Sequence, residues 1–282
     1  MDWIGTESAK VEFKPGGPMV VIGERLNPTG NKRYADALRR HDYETIVSQA
    51  RKQAESGADV IDVNAGLPGL DEVETLAAVV KAIQSELDVP LCLDSSNSRA
   101  IEKALSVLHG RALVNSVNGE ERSRNEILPL VRDYDSMVVA LCLDQRGIKY
   151  DVSSRVEIAE SILESCAKMG IGADRVLVDP LVLTVGSNPM AGRAFLDTLE
   201  ELGRKLRVRT VAGISNVSFG LPERDQLNMN LLAMAIAYGL TACIADPLKA
   251  GIVDVVRSSD MLAGRKGATR RFLSFVRERR RE

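Results

Sequence analysis

Histidine is almost missing from this chain: its 282 residues contain two, His41 and His109. That scarcity argues against a Ser-His-Asp triad and against a multi-histidine metal site, and no resident metal is expected. Cysteine is also sparse. Cys92, Cys142, Cys166 and Cys243 form no CxxC pair; three fall in apolar strand-like runs and Cys166 falls on an apolar helix face, so buried reduced thiols are expected. No apolar stretch approaches the ~18 residues that suggest a membrane span. The first residues carry no basic region followed by an apolar core, so no secretory signal is expected and a cytoplasmic location is. Charge of one sign is missing too. The formal net charge is -2, which gives no global field for nucleic acid or an anionic membrane, and neither partner is expected.

What is present is a repeat. A short β-branched run followed by a longer amphipathic stretch occurs eight times. The strand-like runs are MVVIGE from Met19, DVIDVNAG from Asp59, PLCLDSS from Pro90, ALVNSVN from Ala112, SMVVALCLD from Ser136, RVLVDPLVL from Arg175, RTVAGISNV from Arg209 and TACIADP from Thr241. They are apolar without strict alternation, as parallel strands covered on both faces are. Between the fifth and sixth, Val156, Ala159, Ile162, Leu163, Cys166 and Met169 recur at helical spacing. Ser154 with Glu157, and Ser123 with Glu126, predict capping boxes, and Gly57 and Gly170 predict helix ends. Eight units in about 250 residues, with no GxGxxG turn after the first run, favour a closed (β/α)₈ barrel over an open doubly wound sheet. Residues 1–18 are expected to form an N-terminal arm and 19–264 the barrel. Residues 265–282 are basic, with Arg277, Arg279, Arg280 and Arg281; opposed by Glu278 and Glu282 and without interleaved aromatics, they suggest a solvated tail or terminal helix turn, not a nucleic-acid arm.

Polar residues sit where these runs end: Glu24 and Asn27; Asp62 and Asn64; Asp94, Ser95, Ser96 and Asn97; Asn115 and Asn118; Asp144; Asp179; Ser215 and Asn216; Asp246. Any one of them could be a helix cap or turn residue. Asp62, Asn64, Asn115 and Asp179 lie inside otherwise apolar runs, where no cap is required and an unpaired polar group costs ~1–3 kcal/mol. In a barrel all eight ends meet on one face, where active sites lie. The set is acid and amide, without the lysines, arginines or glycine nest that phosphate wants. A hard metal remains open on residue type alone. A flat heterocycle with several N–H donors fits better: a carboxylate can accept two donors from one edge of a reduced pterin, and amides satisfy a mixed edge.

These segments resemble the pterin-binding barrels, and within them the methyltetrahydrofolate–corrinoid methyltransferases. The marks are GERLNPTGN at Gly23–Asn31, DVNAG at Asp62–Gly66, LCLDSSN at Leu91–Asn97, LVNSVN at Leu113–Asn118, DPLVL at Asp179–Leu183 and GISNVSFGLPER at Gly213–Arg224. The opening segment also resembles the folate module of cobalamin-dependent methionine synthases. The resemblance implies a dihydropteroate synthase-like α/β barrel that moves a methyl group between nitrogen 5 of tetrahydrofolate and corrinoid cobalt. It implies that Asp94, Asn115 and Asp179 hold the pterin, that Asn216 is catalytic at nitrogen 5, that Gly213, Ile214 and Ser215 line the same wall, and that Arg224 lies beside the pocket. Phe219 stands where some relatives carry a polar residue. Glu24, Asn27, Asp62, Asn64 and Ser96 form a wider candidate set. Neither histidine sits in a DxHxxG motif, so the cobalamin is expected on a partner corrinoid protein; a homodimer is the family expectation. The alternatives are a dihydropteroate synthase-like pterin enzyme, whose GFGK-like segment is missing here, and a non-catalytic folate-binding subunit.

Overall fold

The computed structural model describes residues 2–279. A hairpin of β1 (Trp3–Gly5) and β2 (Lys10–Glu12) comes first. Strand β3 (Val20–Leu26) leads through helices α1 (Lys32–Arg40) and α2 (Tyr43–Glu55) to β4 (Val60–Val63). Then follow α3 (Glu72–Glu86), β5 (Leu91–Asp94), α4 (Ser98–Val107), β6 (Leu113–Asn118), α5 (Glu121–Asp133) and β7 (Met137–Leu141). A second hairpin, β8 (Leu143–Asp144) and β9 (Gly147–Ile148), precedes α6 (Val152–Lys168). The chain continues with β10 (Val176–Asp179), α7 (Ala191–Glu201), β11 (Arg209–Gly213), α8 (Arg224–Ala237), β12 (Ala242–Ala245), α9 (Ile252–Leu262) and α10 (Ala268–Arg279). Strands β3 to β7 and β10 to β12 pair in parallel and close, so the fold is the expected α/β (β/α)₈ barrel.

Strand alternation places the core. Val20, Ile22, Val60, Cys92, Leu113, Met137, Val139, Leu177, Val211 and Ala242 pack together with Ile4 and Phe13 of the first hairpin. Residues one step along, such as Ile61, Leu93, Val114, Val138 and Val178, belong to the layer between sheet and helices. This is the two-residue period of a strand with both faces covered. The barrel interior is therefore filled with side chains, and the hairpin closes its floor.

Several local expectations change in the structure. Ser154 does not cap α6; the Asp151 carboxylate does, accepting from Ser154 N. Ser123 does not cap α5, which starts at Glu121 with no side-chain cap; its hydroxyl accepts from Asn118 N instead. In each case the chain turns into helix before the serine, so the serine sits within the first turn. Gly57 and Gly170 do follow helix ends, both at positive φ (102° and 77°), where glycine carries no Cβ penalty. The run from Ser136 breaks after Leu141. The run from Arg209 is a strand only to Gly213, and Ile214–Ser218 is a 3₁₀ turn.

The basic C-terminal stretch is more integrated than a solvated tail. Arg265 is buried, donates to the Ile236 and Leu240 carbonyls and pairs with Asp260, and Arg271 donates to the Met19 carbonyl. Arg280, Arg281, Glu282 and the Glu278 side chain lie outside the described residues. All four cysteines are free and buried. Among the described residues no helix is long and apolar enough to cross a membrane.

Candidate functional site

The strand period that fills the barrel also builds its upper layer. Two residues beyond Ile22, Val60, Cys92, Leu113 and Leu177 come Glu24, Asp62, Asp94, Asn115 and Asp179. Each is the next inward position of its strand. The apolar core thus ends and a polar layer begins, at the C-terminal ends of the strands. Above it lies a cleft of about 750 Å³, walled by Glu24, Asp62, Asp94, Asn115, Ile214, Ser215, Asn216 and Phe219, with Asn27, Arg25, Arg224, Asp225, Asn228, Asp246 and Lys249 among its outer residues.

Two strands change register at this level, between Gly23 and Leu26 and between Asn115 and Val117. Such irregularities re-aim side chains beside a site. The first is held by Gln53, a fully buried side chain whose Oε1 accepts from Arg25 N at 2.8 Å. Gly23 permits that approach: a Cβ there would stand 2.6 Å from Gln53 Oε1.

The layer is acidic and poorly compensated. Asp94 Oδ2 accepts from Asn64 Nδ2 at 3.0 Å, while Asp62 has a long 3.5 Å contact with Asn115 Nδ2 and a hydrogen bond from the Cys92 thiol, a weak donor. Burial, reinforced by the charge of Asp94, raises the Asp62 carboxyl well above the usual carboxylate range. Burial raises Asp94 as well, against the lowering effect of the Asn64 hydrogen bond. Glu24 is raised by burial first and by Asp246 second. Asp179 is buried, accepts from Leu181 N at 2.7 Å, and is pushed up to about 7 by burial. These carboxyls sit where donors are scarce, so a ligand that brings N–H groups favours their ionised form. A pterin ring fits that requirement.

Asn216 sits in the 3₁₀ turn that follows β11. Its backbone carbonyl accepts from Phe219 N at 3.2 Å. Among the described residues its side-chain amide has no hydrogen-bond partner; it is exposed and borders the cleft, with Nδ2 close to the Gly213 backbone.

Of the residues singled out from sequence, the structure brings Glu24, Asn27, Asp62, Asp94, Asn115, Ile214, Ser215, Asn216, Phe219 and Arg224 to one cleft. Asn64 stands behind it, holding Asp94 and accepting from Gly66 N. Gly213 supports Asn216 from below. Asp179 belongs to the same layer but is covered. Ser96 is exposed and outside the wall. Asp144 turns away to pair with Arg146 at 2.7 Å, whereas Asp246 both borders the cleft and accepts from Leu248 N. Arg25, Asp225, Asn228 and Lys249 were not singled out. Arg25 lies inside the GERLNPTGN segment, and Asn228 follows Arg224 by one helical turn; Asp225 and Lys249, which pair at 3.4 Å, lie outside every segment singled out.

Neither histidine comes near this cleft. His41 ends α1 in a left-handed conformation, and His109 is tied to Gln84 through its backbone.

Comparison with known proteins agrees with this architecture. In sequence the chain is 29% identical over 268 residues to the methylcorrinoid:tetrahydrofolate methyltransferase of Eubacterium limosum, covering 92% of this chain and 97% of that protein. It is 30% identical over 253 residues to the methionine synthase of Mycobacterium tuberculosis, of which it spans 21%. Among solved structures it resembles dihydropteroate synthases from Yersinia pestis and Vibrio fischeri. Each has a TM-score of 0.71 at 18% identity, covering 93% and 94% of this chain and 99% and 100% of theirs, and this likeness concerns the fold. The family description "pterin binding enzyme" matches residues 23–246, the span from the first site strand to the end of the last. With the barrel, the acid-and-amide layer and that match in agreement, the chain belongs to the pterin binding enzyme family.

Proposed function

We propose that the chain moves a methyl group between nitrogen 5 of tetrahydrofolate and the cobalt of a corrinoid supplied by a partner protein. The observation that carries this reading is the unpartnered Asn216 amide on the cleft wall, beside a layer of buried carboxyls and amides suited to a pterin edge. The relationship to the Eubacterium limosum protein over almost the whole of both chains supports it.

In this reading Asp94 and Asn115 hold the pterin edge, Asp62 and Asn64 back them, and Asp179 receives a donor once the ring is seated. Methyl leaves a tertiary amine poorly. The C–N pair departs more readily with nitrogen when nitrogen 5 carries a proton, and the methyl carbon then bonds to reduced cobalt. Asn216 cannot be a general acid, because an amide has no proton to give near neutral pH. It can accept a hydrogen bond from protonated nitrogen 5, or hold a water that carries the proton. Glu24, whose carboxyl stays protonated above the usual range, is positioned on the same cleft to feed that relay. In the reverse direction nitrogen 5 attacks the methyl on cobalt, across the same transition state. A cytoplasmic location belongs to the same proposal, supported by four buried free thiols.

The test is direct. Purified protein is mixed with methylcobalamin and tetrahydrofolate, and the cobalamin absorbance is followed. Transfer is expected with free cobalamin or with corrinoid proteins from the same source, and no condensation with p-aminobenzoate. Asn216→Ala is expected to slow transfer about 10²-fold, the scale of losing one electrostatic stabiliser, with tetrahydrofolate affinity little changed. Absence of transfer in both directions with every corrinoid would refute the reading. Full activity of Asn216→Ala would remove Asn216 from the mechanism.

A further inference from the structure

Arg224, at the rim of the cleft, and the buried Ser218 direct their hydrogen bonds to the turn that carries Asn216. Arg224 Nη2 donates to the Ser215 carbonyl at 2.9 Å, and its Nε donates to Ser218 Oγ at 3.1 Å. The Ser218 hydroxyl donates in turn to Asn228 Oδ1 at 2.8 Å. Ser218 is completely buried, so this is a committed contact and not a surface accident. Ser215 and Ser218 bracket Asn216 in the chain. Arg224 opens α8 and Asn228 follows one turn later, so the helix grips the turn at two points.

The opposite side of the turn is held from the loop after β10. Val185 N donates to the Val217 carbonyl at 2.9 Å, and Thr184 Oγ1 donates to the Phe219 carbonyl at 2.7 Å. A five-residue 3₁₀ segment has little stability of its own. Here every carbonyl from Ser215 to Phe219 receives a bond: Asn216 from Phe219 N, Ser218 from Leu221 N, and the others as described. Among the described residues the Asn216 side-chain amide has no hydrogen-bond partner.

We infer that Arg224, Ser218 and Asn228 form a positioning clamp on the turn that presents the Asn216 amide to the pterin. This rests on the proposed role of Asn216 and gives Arg224 a different one from substrate contact. Positioning matters at this scale because a displacement of about 1 Å at a reacting group can cost ~10²-fold in rate. The guanidinium satisfies a backbone carbonyl and a side-chain hydroxyl at fixed angles, which an ammonium cannot do at both sites together.

The clamp is tested with Ser218→Ala, Arg224→Met and Asn216→Ala, alone and combined. The single clamp variants are expected to lower kcat about 10–100-fold, with KM for tetrahydrofolate within about threefold. In the Asn216→Ala background each is expected to add less than about threefold, because the group being positioned is gone. A raised KM at unchanged kcat would make Arg224 a substrate ligand and overturn the clamp, as would losses that multiply in the Asn216→Ala background. Arg224 is exposed, so its variant folds even if Ser218→Ala does not. Hydrogen exchange over residues 213–219 gives a reading independent of activity: at least tenfold faster exchange is expected in either clamp variant, and unchanged exchange would overturn the clamp. Should the wild type transfer no methyl group, the proposed function fails, while exchange still decides the clamp.

Discussion

At the residue scale the site follows from one strand rule. Asp62, Asp94, Asn115 and Asp179 occupy the inward step above Val60, Cys92, Leu113 and Leu177, the level at which the apolar core stops and the polar layer under the cleft begins. Asp179 gives this a measurable consequence. Burial holds its carboxyl at about 7, above the ordinary 3.8. Between those values the folded chain keeps a proton that the unfolded chain has lost, so its contribution to stability is fully present below about pH 4 and disappears as pH rises through 7. Asp179→Asn keeps an acceptor for Leu181 N and cannot ionise. The variant should match wild type in urea unfolding near pH 4 and exceed it at pH 8 by up to about 4 kcal/mol, each pKa unit being worth ~1.36 kcal/mol. An equal difference at both pH values would mean that Asp179 is ionised throughout. The polarity of these positions is plain in the sequence, because an aspartate interrupts the apolar run VLVDPLVL. Their distinct roles are not. Asp144 and Asp246 end strands in the same way, and only the chain direction after Leu141 sends Asp144 to Arg146 and away from the cleft.

At the element scale the eight strands and their helices were legible because hydrophobic periodicity survives without tertiary knowledge. Helix starts were not, and α6 shows why. Its entry reads Asp151, Val152, Ser153, Ser154, offering three side chains that can accept from backbone N–H groups. Spacing to Glu157 favours Ser154 as a capping box, yet a carboxylate is the stronger acceptor and suits the positive helix end. Asp151 therefore caps, taking hydrogen bonds from Ser154 N and the Ser153 hydroxyl, which pull its carboxyl down to about 2. Asp151→Ala should cost ~1 kcal/mol of stability at neutral pH, whereas Ser154→Ala should cost almost nothing. Because the cap depends on ionisation, the difference between wild type and Asp151→Ala should persist above about pH 4 and close as pH falls toward 2. Denaturant melts of both variants decide which residue caps. The 3₁₀ turn of Asn216 was hidden for a related reason: GISNV is apolar enough to pass for strand, and the bonds that bend it come from Thr184, Val185 and Arg224, distant in sequence.

At the scale of the whole molecule, the two ends of the barrel carry different duties. The cleft occupies the C-terminal ends of the strands, while the hairpin β1–β2 closes the opposite end, with Ile4 and Phe13 fully buried in the interior cluster. Residues 1–18 suggest only an arm from sequence, because two three-residue strands give no periodicity and the surface they cover exists only once the barrel has closed. The closure is specific. Gly5 and Arg111 exchange backbone hydrogen bonds at 2.8 and 2.9 Å, Phe13 N donates to the Asp2 carbonyl, and the Arg111 guanidinium lies 4.8 Å from the Trp3 ring. Removing the Phe13 ring leaves a void against Val20, Leu177 and their neighbours that a closed barrel cannot collapse to fill. Phe13→Ala should therefore cost ~3–5 kcal/mol in denaturant unfolding. The cleft side chains stand on the other side of the packed layer, so the folded fraction should bind tetrahydrofolate as tightly as wild type below the melting transition. A loss of affinity as large as the loss of stability would show that the floor and the cleft are mechanically coupled, against the division between stabilising and functional faces that is general to such barrels.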